Sequence, residues 1–298
     1  MLSERLLLTA ATAIAPILWG TTYFTSTTFL VADHPLLTGT IRALPAGLVL
    51  LLIGRRLPHG AWWWKSTVLG MLNIGAFFAF LFIAADRLPG GVAAVIGGVQ
   101  PLLVSLLGAW LLAERISAVT VAAGVVGTAG VALIVLRAEA RLDMMGVAAA
   151  LAGASCMAVG VVMSKRWGSE HPPLVTTAWQ LLTGGLVLAA LTATLEPLPV
   201  AGFRPGNVAG YAYLTLIGTA LAYLLWFRGI RALPARVPAF LGLLSPVVAV
   251  LIGGSLAGET LSWTQIAGMA LVLLSVATAV TVRKAQPFRP RRREDART

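Results

Sequence analysis

The sequence predicts an all-α membrane protein in which ten transmembrane helices form two inverted repeats of five. Three observations predict this fold. Of the 298 residues, 58% are hydrophobic and only 11% are charged, which is too little charge for the surface of a soluble domain. Ten apolar runs are long enough to cross a bilayer, and the second half of the chain repeats the first.

The ten apolar runs define ten predicted spans, numbered one to ten in chain order. An α-helix needs about 20 apolar residues to cross about 30 Å of hydrocarbon. Because the bilayer interior offers no water to the backbone, helices are the predicted spanning elements. The spans are predicted at residues 8–31, 36–54, 64–85, 89–112, 117–136, 144–164, 173–195, 207–228, 235–257 and 263–282.

The internal repeat sets the relation between the halves. Residues 82–135 and 227–280 align without a gap at an offset of 145, and 16 of the 54 positions are identical. Gly47 and Gly185 each begin a Gly-Leu-Val-Leu sequence. Since each copy holds an odd number of spans, the second copy is inverted, as in secondary transporters. We predict one five-helix repeat at 1–137, a second at 138–283 and a basic cytoplasmic tail at 284–298.

The distribution of basic residues predicts the orientation. With both termini in the cytoplasm, seventeen Lys or Arg lie on the cytoplasmic side and four on the opposite side. We therefore expect a multi-pass protein of the bacterial inner (plasma) membrane. The net charge is +11, and seven of the Lys and Arg residues lie at 283–298, directly after the last span, which is typical of a topology anchor that also contacts anionic lipid. This placement indicates membrane lipid, and not nucleic acid, as the partner of the tail.

The chain lacks the motifs of enzymes and ATP-driven pumps. It has no G-x-x-x-x-G-K-[ST] phosphate loop, no H-E-x-x-H and no G-x-S-x-G sequence. One cysteine, and three histidines in predicted loops, do not form a metal-ligand pattern. We therefore predict no enzymatic activity, no metal and no cofactor.

The acidic residues bear on the transport mechanism. All eleven Asp and Glu lie at span ends, in loops or in the tail. Proton-coupled export of a lipophilic cation usually needs a carboxylate within the membrane that exchanges a proton for the substrate. The absence of Asp and Glu from the span centres therefore favours a neutral or zwitterionic substrate.

Polar and aromatic residues near span centres are candidates for a substrate path, because a polar group facing lipid is unfavourable. The alternative is contact between helices, which is the common role of small polar residues in spans. The amides of Asn73, Gln100 and Gln180 need several hydrogen bonds, either in an aqueous cavity or between helices. The predicted substrate-binding residues are Trp19, Tyr23, Asn73, Phe77, Gln100, Met157, Tyr223, Trp226 and Ser245.

Repeat-related residues in spans four and nine indicate moving parts. A mid-helix proline removes one backbone hydrogen bond, so a break near mid-depth is expected. Glycines at such a break act in a hinge or allow close packing of helices. Each copy also has a Glu followed at the third position by a Ser that can cap the next helix (Ser117 and Ser262). The predicted hinge or gate residues are Pro101, Pro246, Gly97, Gly242, Glu114 and Glu259.

Arg42 is the one basic residue within a predicted span. Three roles remain open from the sequence. Its side chain can extend outward to the interface. It can pair with Asp33 or Asp86, or it can bind a substrate carboxylate directly.

Several of these residues together form a recognisable sequence pattern. They are Trp19-Gly20, Arg42, Leu88-Pro89, Pro101, the Glu114-x-x-Ser117 step, residues 222–234, Pro246 and Glu259. Over residues 8–282, the pattern resembles the EamA-type family of the drug/metabolite transporter superfamily. The resemblance implies a central cavity lined mainly by spans one, three, four, six, eight and nine, with spans five and ten at the periphery. It makes Trp179 and Gln180, on span seven, weaker candidates for the cavity.

Within that superfamily, the aromatic residues of the predicted path are similar to those of YddG-type exporters of aromatic amino acids. Gln100 departs from that type, because an aromatic residue is expected before the proline of span four. We expect a secondary transporter that exports amino acids, aromatic ones among them, or related small metabolites by alternating access. A multidrug exporter with a loose aromatic cavity, an intramembrane enzyme and a non-transporting scaffold are the alternatives.

Overall fold

A computed structural model describes residues 2–31, 34–88, 90–135, 143–197, 203–256 and 261–281. Within these ranges, nine side chains lie outside the description: Leu2, Ser3, Tyr23, Phe82, Ala85, Asp86, Gly90, Gly91 and Val92. The described residues form helices and connecting turns and contain no β-strand.

The described residues form ten helical spans, which confirms the predicted fold class. Every span begins and ends within four residues of its predicted bounds. The spans are Glu4–Phe29, Pro35–Gly54, Trp62–Leu81, Ala93–Leu112, Ala118–Val135, Met144–Trp167, Pro173–Leu195, Pro205–Ala232, Arg236–Leu256 and Trp263–Thr281.

Spans two, five, six, seven and ten are single α-helices, whereas the other five are interrupted. Span one breaks at Thr21, between helices Leu2–Gly20 and Thr22–Phe29. Spans four and nine each contain a two-residue turn. Their helices are Gly90–Gly97 and Gln100–Leu112 in span four, and Arg236–Leu241 and Leu244–Leu256 in span nine. Prolines at positions 101 and 246, near the start of the second helix of each pair, cannot donate a backbone hydrogen bond across the turn.

Spans three and eight are interrupted by π-helical turns, which the sequence analysis did not predict. In span three, Met71–Gly75 lies between the α-helices Trp62–Gly70 and Ala76–Arg87. In span eight, Leu216–Leu221 lies between Pro205–Thr215 and Ala222–Ala232. The two turns begin 145 residues apart, the offset that relates the repeats. Single π-turns inside α-helices frequently occur at functional sites, and here both copies keep one at the same place.

The helices of the two repeats pair symmetrically. Span two packs along span seven, and span five packs along span ten. Spans five and ten approach closely where Gly130 faces Gly268: a Cβ on Gly130 would lie 2.8 Å from the carbonyl oxygen of Gly268. Small residues permit such close backbone contact in a membrane, where helix association depends on packing.

Both predicted serine caps are present. Ser117 Oγ accepts a hydrogen bond from the backbone N–H of Thr120 (3.1 Å), and Ser262 Oγ accepts one from Gln265 (3.2 Å). Gln265 Oε1 in turn accepts from the Ser262 N–H (2.9 Å), which completes a capping box. These caps fix where spans five and ten begin.

Two histidines meet outside the membrane-spanning segments. His59 lies in the connection between spans two and three, and His171 in the connection between spans six and seven. The centres of their rings are 4.8 Å apart. Desolvation by burial lowers the pKa of His171 from its ordinary value of 6.5; His59 and Arg56 lower it further, and Glu170 opposes them.

We predict that His59→Gln raises the pKa of His171, because one of the groups that disfavour its protonation is removed. The depressed pKa means that the unfolded chain binds more protons than the folded protein. This contribution to stability is complete above about pH 6.5 and declines as the pH falls below that value. Histidine-selective NMR titration in nanodiscs checks the prediction. His34→Gln is the control, and an unchanged His171 titration in His59→Gln would refute the assignment.

Candidate functional site

A cavity of about 430 Å³ lies between the two repeats. Its walls come mainly from spans one, three, four, six, eight and nine, with Arg42 from span two and Val131 from span five. On spans three, four and six, the lining residues lie between Phe77 and Ala84, Ala93 and Pro101, and Ala150 and Met157. These segments lie in the halves of the three spans nearer the predicted outer end. On spans eight and nine, the lining residues lie in the halves nearer the predicted cytoplasmic end, so the cavity is near mid-depth.

Most of the predicted substrate-binding residues with described side chains line this cavity. The structure brings together Trp19, Phe77, Gln100, Met157, Tyr223, Trp226 and Ser245. Tyr23 lies on the second helix of span one, and its side chain is outside the described residues.

An aromatic cluster forms one wall of the cavity. The ring of Trp19 lies 5.1 Å from that of Tyr223 and 5.0 Å from that of Trp226, in tilted and edge-on geometries. These spacings are typical of favourable aromatic pairs. Tyr223 and Trp226 are three residues apart on span eight, so both project from one face of the helix. We call Trp19, Tyr223 and Trp226 the aromatic cluster.

The breaks of spans four and nine also face the cavity. Gly97, Pro101, Gly242 and Pro246 all line it. A Cβ placed on Gly97 would meet nothing within 4 Å, so close packing does not explain a glycine there. At Gly242, the added atom would lie 3.1 Å from the carbonyl oxygen of Ala239. The equivalent glycines therefore differ: the first leaves open space, and the second is tightly packed.

Asn73 corrects the sequence prediction, because it does not line the cavity. Its side chain is fully buried, and its Nδ2 donates to Gln180 Oε1 (2.8 Å) and Ser164 Oγ (3.2 Å). Asn73 and Gln180 therefore hydrogen-bond between helices, which was the alternative to lining an aqueous cavity. Gln180 and its neighbour Trp179 are likewise absent from the cavity lining. Gln100 is the amide that reaches the cavity.

Arg42 is buried and does not extend outward, so that alternative is wrong. Only 7% of the residue is exposed. Nε donates to Thr219 Oγ1 (2.9 Å), Nη2 donates to the Gly218 carbonyl (3.1 Å), and the guanidinium lies 5.3 Å from the Phe78 ring centre. Among the described side chains, it is the one charged group that lines the cavity. Asp33 and the side chain of Asp86 lie outside the described residues.

Glu114 does not line the cavity but connects spans four and nine. Its Oε1 accepts a hydrogen bond from the Ala235 N–H (3.1 Å), at the residue that precedes the first helix of span nine. Ala113 turns the chain toward this contact with a φ of 53°, in the left-handed region that favours glycine. The repeat has Gly258 at the equivalent position. Glu259, the predicted counterpart of Glu114, lies outside the described residues.

Two further contacts join helices at the same end of the bundle as Glu114. Lys165, on span six, donates to the carbonyls of Ile230 (3.4 Å) and Leu233, at the end of span eight. Arg231 Nη1 donates to the His171 carbonyl (2.6 Å). Both of these contacts lie within the second repeat, whereas the Glu114 contact joins the two repeats. All three lie at the end of the bundle where most basic loop residues are. Across the described part of the chain, no group of three or more His, Cys, Asp or Glu is placed to hold a metal ion.

The sequence analysis missed several lining residues. Phe78 adjoins the predicted site residue Phe77, and Gly98 adjoins Gly97. Phe78 follows Phe77 directly, and helical spacing alone would have assigned only one of the two to the cavity.

Comparison with known proteins agrees with this architecture. The EamA-like transporter family matches residues 7–136 and 144–281. Protein PecM of Dickeya dadantii is 44% identical over 260 residues, which cover 87% of each chain. The inner membrane transporter YedA of Escherichia coli is 26% identical over 92% of this chain and 90% of its own.

A solved crystal structure shares the fold at 23% identity. Its TM-score is 0.79, and the match covers 91% of this chain and 96% of the other. The two halves matched by the family coincide with the two five-helix halves of the structure. The protein therefore belongs to the EamA-like transporter family, and it is a transporter and not an enzyme.

Proposed function

We propose that the protein exports amino acids, aromatic ones among them, or related small metabolites across the bacterial inner membrane by alternating access. Both termini lie in the cytoplasm in this proposal, as the positive-inside rule predicts. A relative whose name contains the words inner membrane transporter supports the same location.

The observation that carries the proposal is the composition of the cavity. Its volume of about 430 Å³ lies within the range of small-molecule sites. The aromatic cluster offers ring faces for stacking or for an ammonium group. Gln100 brings an amide, and Trp226 Nε1 is a buried donor without a hydrogen-bond partner among the described residues. Such a site suits a molecule with an aromatic body and polar ends.

Alternating access is supported by a contact between the repeats at one end of the bundle and by the breaks in spans four and nine. The cavity is lined by the predicted outer halves of spans three, four and six and by the predicted cytoplasmic halves of spans eight and nine. The Glu114–Ala235 hydrogen bond joins the two repeats at the predicted cytoplasmic end, and Lys165 and Arg231 add hydrogen bonds within the second repeat there. The breaks at Gly98–Val99 and Gly242–Leu243 divide spans four and nine into segments that can tilt separately. An inverted repeat allows the opposite arrangement, because the two similar halves can exchange conformations.

The charges of the cavity argue against a cationic substrate. No carboxylate is among the described residues that line it. A carboxylate that exchanges a proton for a cationic substrate is therefore not part of the proposed mechanism.

Counterflow into proteoliposomes tests the proposal. Vesicles loaded with an unlabelled amino acid are placed in a trace of the labelled compound, across a panel of amino acids and lipophilic cations. We expect uptake of labelled aromatic amino acids without a pH gradient. If only lipophilic cations exchange, with current and loss of activity at high external pH, the amino-acid proposal fails.

A multidrug exporter is the second candidate, and the largely apolar cavity favours it. Alanines, leucines and phenylalanines provide much of the lining. The counterflow panel separates the two functions, because a drug exporter exchanges lipophilic compounds in preference to zwitterions.

Glu114→Ala is predicted to open the cytoplasmic end more often. The substitution removes a charge-assisted hydrogen bond at a helix N-terminus, which is worth about 0.5–2 kcal/mol. Labelling of Ser245→Cys by an impermeant thiol reagent, in inside-out vesicles of a Cys156→Ser background, should become severalfold faster. Glu170→Ala, at an exposed loop position, is the matched control. Equal labelling rates in both variants would show that Glu114 is not part of a gate.

A further inference from the structure

The two repeats place different chemistry at equivalent contacts. The offset of 138 that aligns Gly47 with Gly185 also aligns Arg42 with Gln180, and the offset of 145 aligns Asn73 with Gly218. Each pair joins the second span of one repeat to the π-turn in the third span of the other. The symmetric fold therefore contains a neutral amide pair on one side and a guanidinium–carbonyl pair on the other.

The neutral pair is held by its own hydrogen bond, although the buried Asn73 Oδ1 has no hydrogen-bond partner among the described residues. Asn73 and Gln180 are 0% and 3% exposed, they hydrogen-bond to each other at 2.8 Å, and neither lines the cavity. A neutral pair of side chains could equally have joined spans two and eight, at the equivalent position of the other repeat. The chain instead has Arg42 on span two. Of the equivalent residues Arg42 and Gln180, only Arg42 lines the cavity.

The charge of Arg42 is not balanced by any described carboxylate. Arginine keeps its proton in proteins, so the charge cannot be removed by titration. Of its five N–H donors, the described hydrogen bonds use one on Nε and one on Nη2, and both acceptors are neutral. The backbone of Asp86 is eight residues beyond Phe78 on the same helix, about 12 Å along its axis. A buried cation in this position is strongly stabilised by an anion that enters the cavity.

The neighbouring groups determine what else the anion carries. The Gly218 carbonyl accepts from both Arg42 Nη2 (3.1 Å) and Trp19 Nε1 (3.2 Å). The guanidinium and the aromatic cluster therefore border the same part of the cavity. A planar guanidinium binds a carboxylate through two parallel hydrogen bonds.

We propose that Arg42 binds the carboxylate of the transported molecule, with its aromatic or apolar body against Trp19 and Tyr223. This inference rests on the proposed function, because it assumes that the cavity is the transport site. It restricts the substrate class to small carboxylates, whether zwitterionic or anionic, and disfavours amines without a carboxylate. Thr219 acts as a positioning residue that holds the guanidinium toward the cavity.

Binding of three related ligands to the purified full-length protein tests the inference. Phenylalanine, 3-phenylpropionate and phenethylamine share an aromatic ring and differ in their carboxylate and amine groups. Quenching of tryptophan fluorescence, checked by microscale thermophoresis, gives the affinities. We expect both carboxylates to bind about tenfold or more tightly than the amine.

Variants assign the effect to Arg42. Arg42→Gln should weaken carboxylate binding by about tenfold or more and leave the affinity for phenethylamine unchanged or higher. Arg42→Lys keeps the charge and should retain part of the preference. Thr219→Val should weaken carboxylate binding without abolishing it. Gln180→Ala, at the equivalent position outside the cavity, is the matched control and should keep the full preference.

The outcomes separate this inference from the proposed function. If all three ligands bind equally to the unmodified protein, the carboxylate role of Arg42 is refuted and the cavity remains an aromatic site. If none binds but lipophilic cations do, the amino-acid function fails as well. Should Arg42→Gln fail to fold, the ligand preference of the unmodified protein and its change in Arg42→Lys and Thr219→Val still decide the matter. A preference that Gln180→Ala abolishes equally would also overturn the assignment.

Discussion

Trp19→Ala is expected to lower the affinity for an aromatic substrate by about tenfold or more. The indole contacts both other members of the aromatic cluster, at 5.1 and 5.0 Å, and also donates to the Gly218 carbonyl. Its loss removes one face of the predicted stacking site and a hydrogen bond to the carbonyl shared with Arg42. Counterflow rates at several substrate concentrations measure the change.

Two control variants identify the cause of that effect. Trp110→Ala removes a tryptophan that is 79% exposed on the outside of span four, so transport should be unchanged. Trp19→Phe keeps an aromatic ring without the N–H donor and should retain most of the affinity. Intact transport in Trp19→Ala, at normal expression, would show that the substrate does not contact the aromatic cluster. Gln100→Ala and Tyr223→Ala extend the test, since both residues line the same cavity.

Gly130→Val is expected to destabilise the protein by about 2–3 kcal/mol, as overpacking of a close contact does. A Cβ at this position would lie 2.8 Å from the Gly268 carbonyl and 3.0 Å from the Leu271 Cβ. The obstructing oxygen belongs to the backbone, so spans five and ten must separate to accommodate a side chain. The midpoint of thermal unfolding in detergent measures the loss.

Gly206→Ala is the matched control for that substitution, because an added Cβ would meet nothing within 4 Å there. We expect its unfolding midpoint to stay close to that of the unmodified protein. Gly130 is not among the residues that line the cavity, so Gly130→Val protein that remains folded should keep its substrate affinity. An unchanged midpoint would mean that the close contact of spans five and ten is not required for stability.

The positions of the spans were predictable because they depend on local composition. Apolar length, serine caps and prolines act within about one helical turn or along one helix. The ten described spans accordingly lie within four residues of their predicted bounds. Ser117 and Ser262 cap the helices that follow them, since a cap needs only a side chain three residues from its donor.

The orientation of individual polar residues was less predictable. Asn73 and Gln100 have similar chemistry and similar depth, yet only Gln100 lines the cavity. Asn73 lies within the π-turn of span three, where the usual rotation of about 100° per residue no longer applies. Its partners, Gln180 and Ser164, belong to the other repeat and are about 100 residues away in the sequence.

Arg42 shows the same division between local and tertiary information. The sequence marks a cation within a span but cannot distinguish an interfacial side chain from one that faces a cavity. The outcome depends on the Gly218 carbonyl and the Thr219 hydroxyl, which span eight presents 176 and 177 residues later.

The sequence by itself determined the class of protein, the number and extent of the spans and the internal repeat, because hydrophobic length and composition are properties of each segment alone. The tertiary structure decided which polar groups meet and which of them face the cavity, because these depend on how helices from opposite repeats rotate and pack. The repeat makes the frame symmetric. Arg42 and Gln180 occupy equivalent positions in the two repeats, but only Arg42 lines the cavity, and this difference is visible only in the tertiary structure.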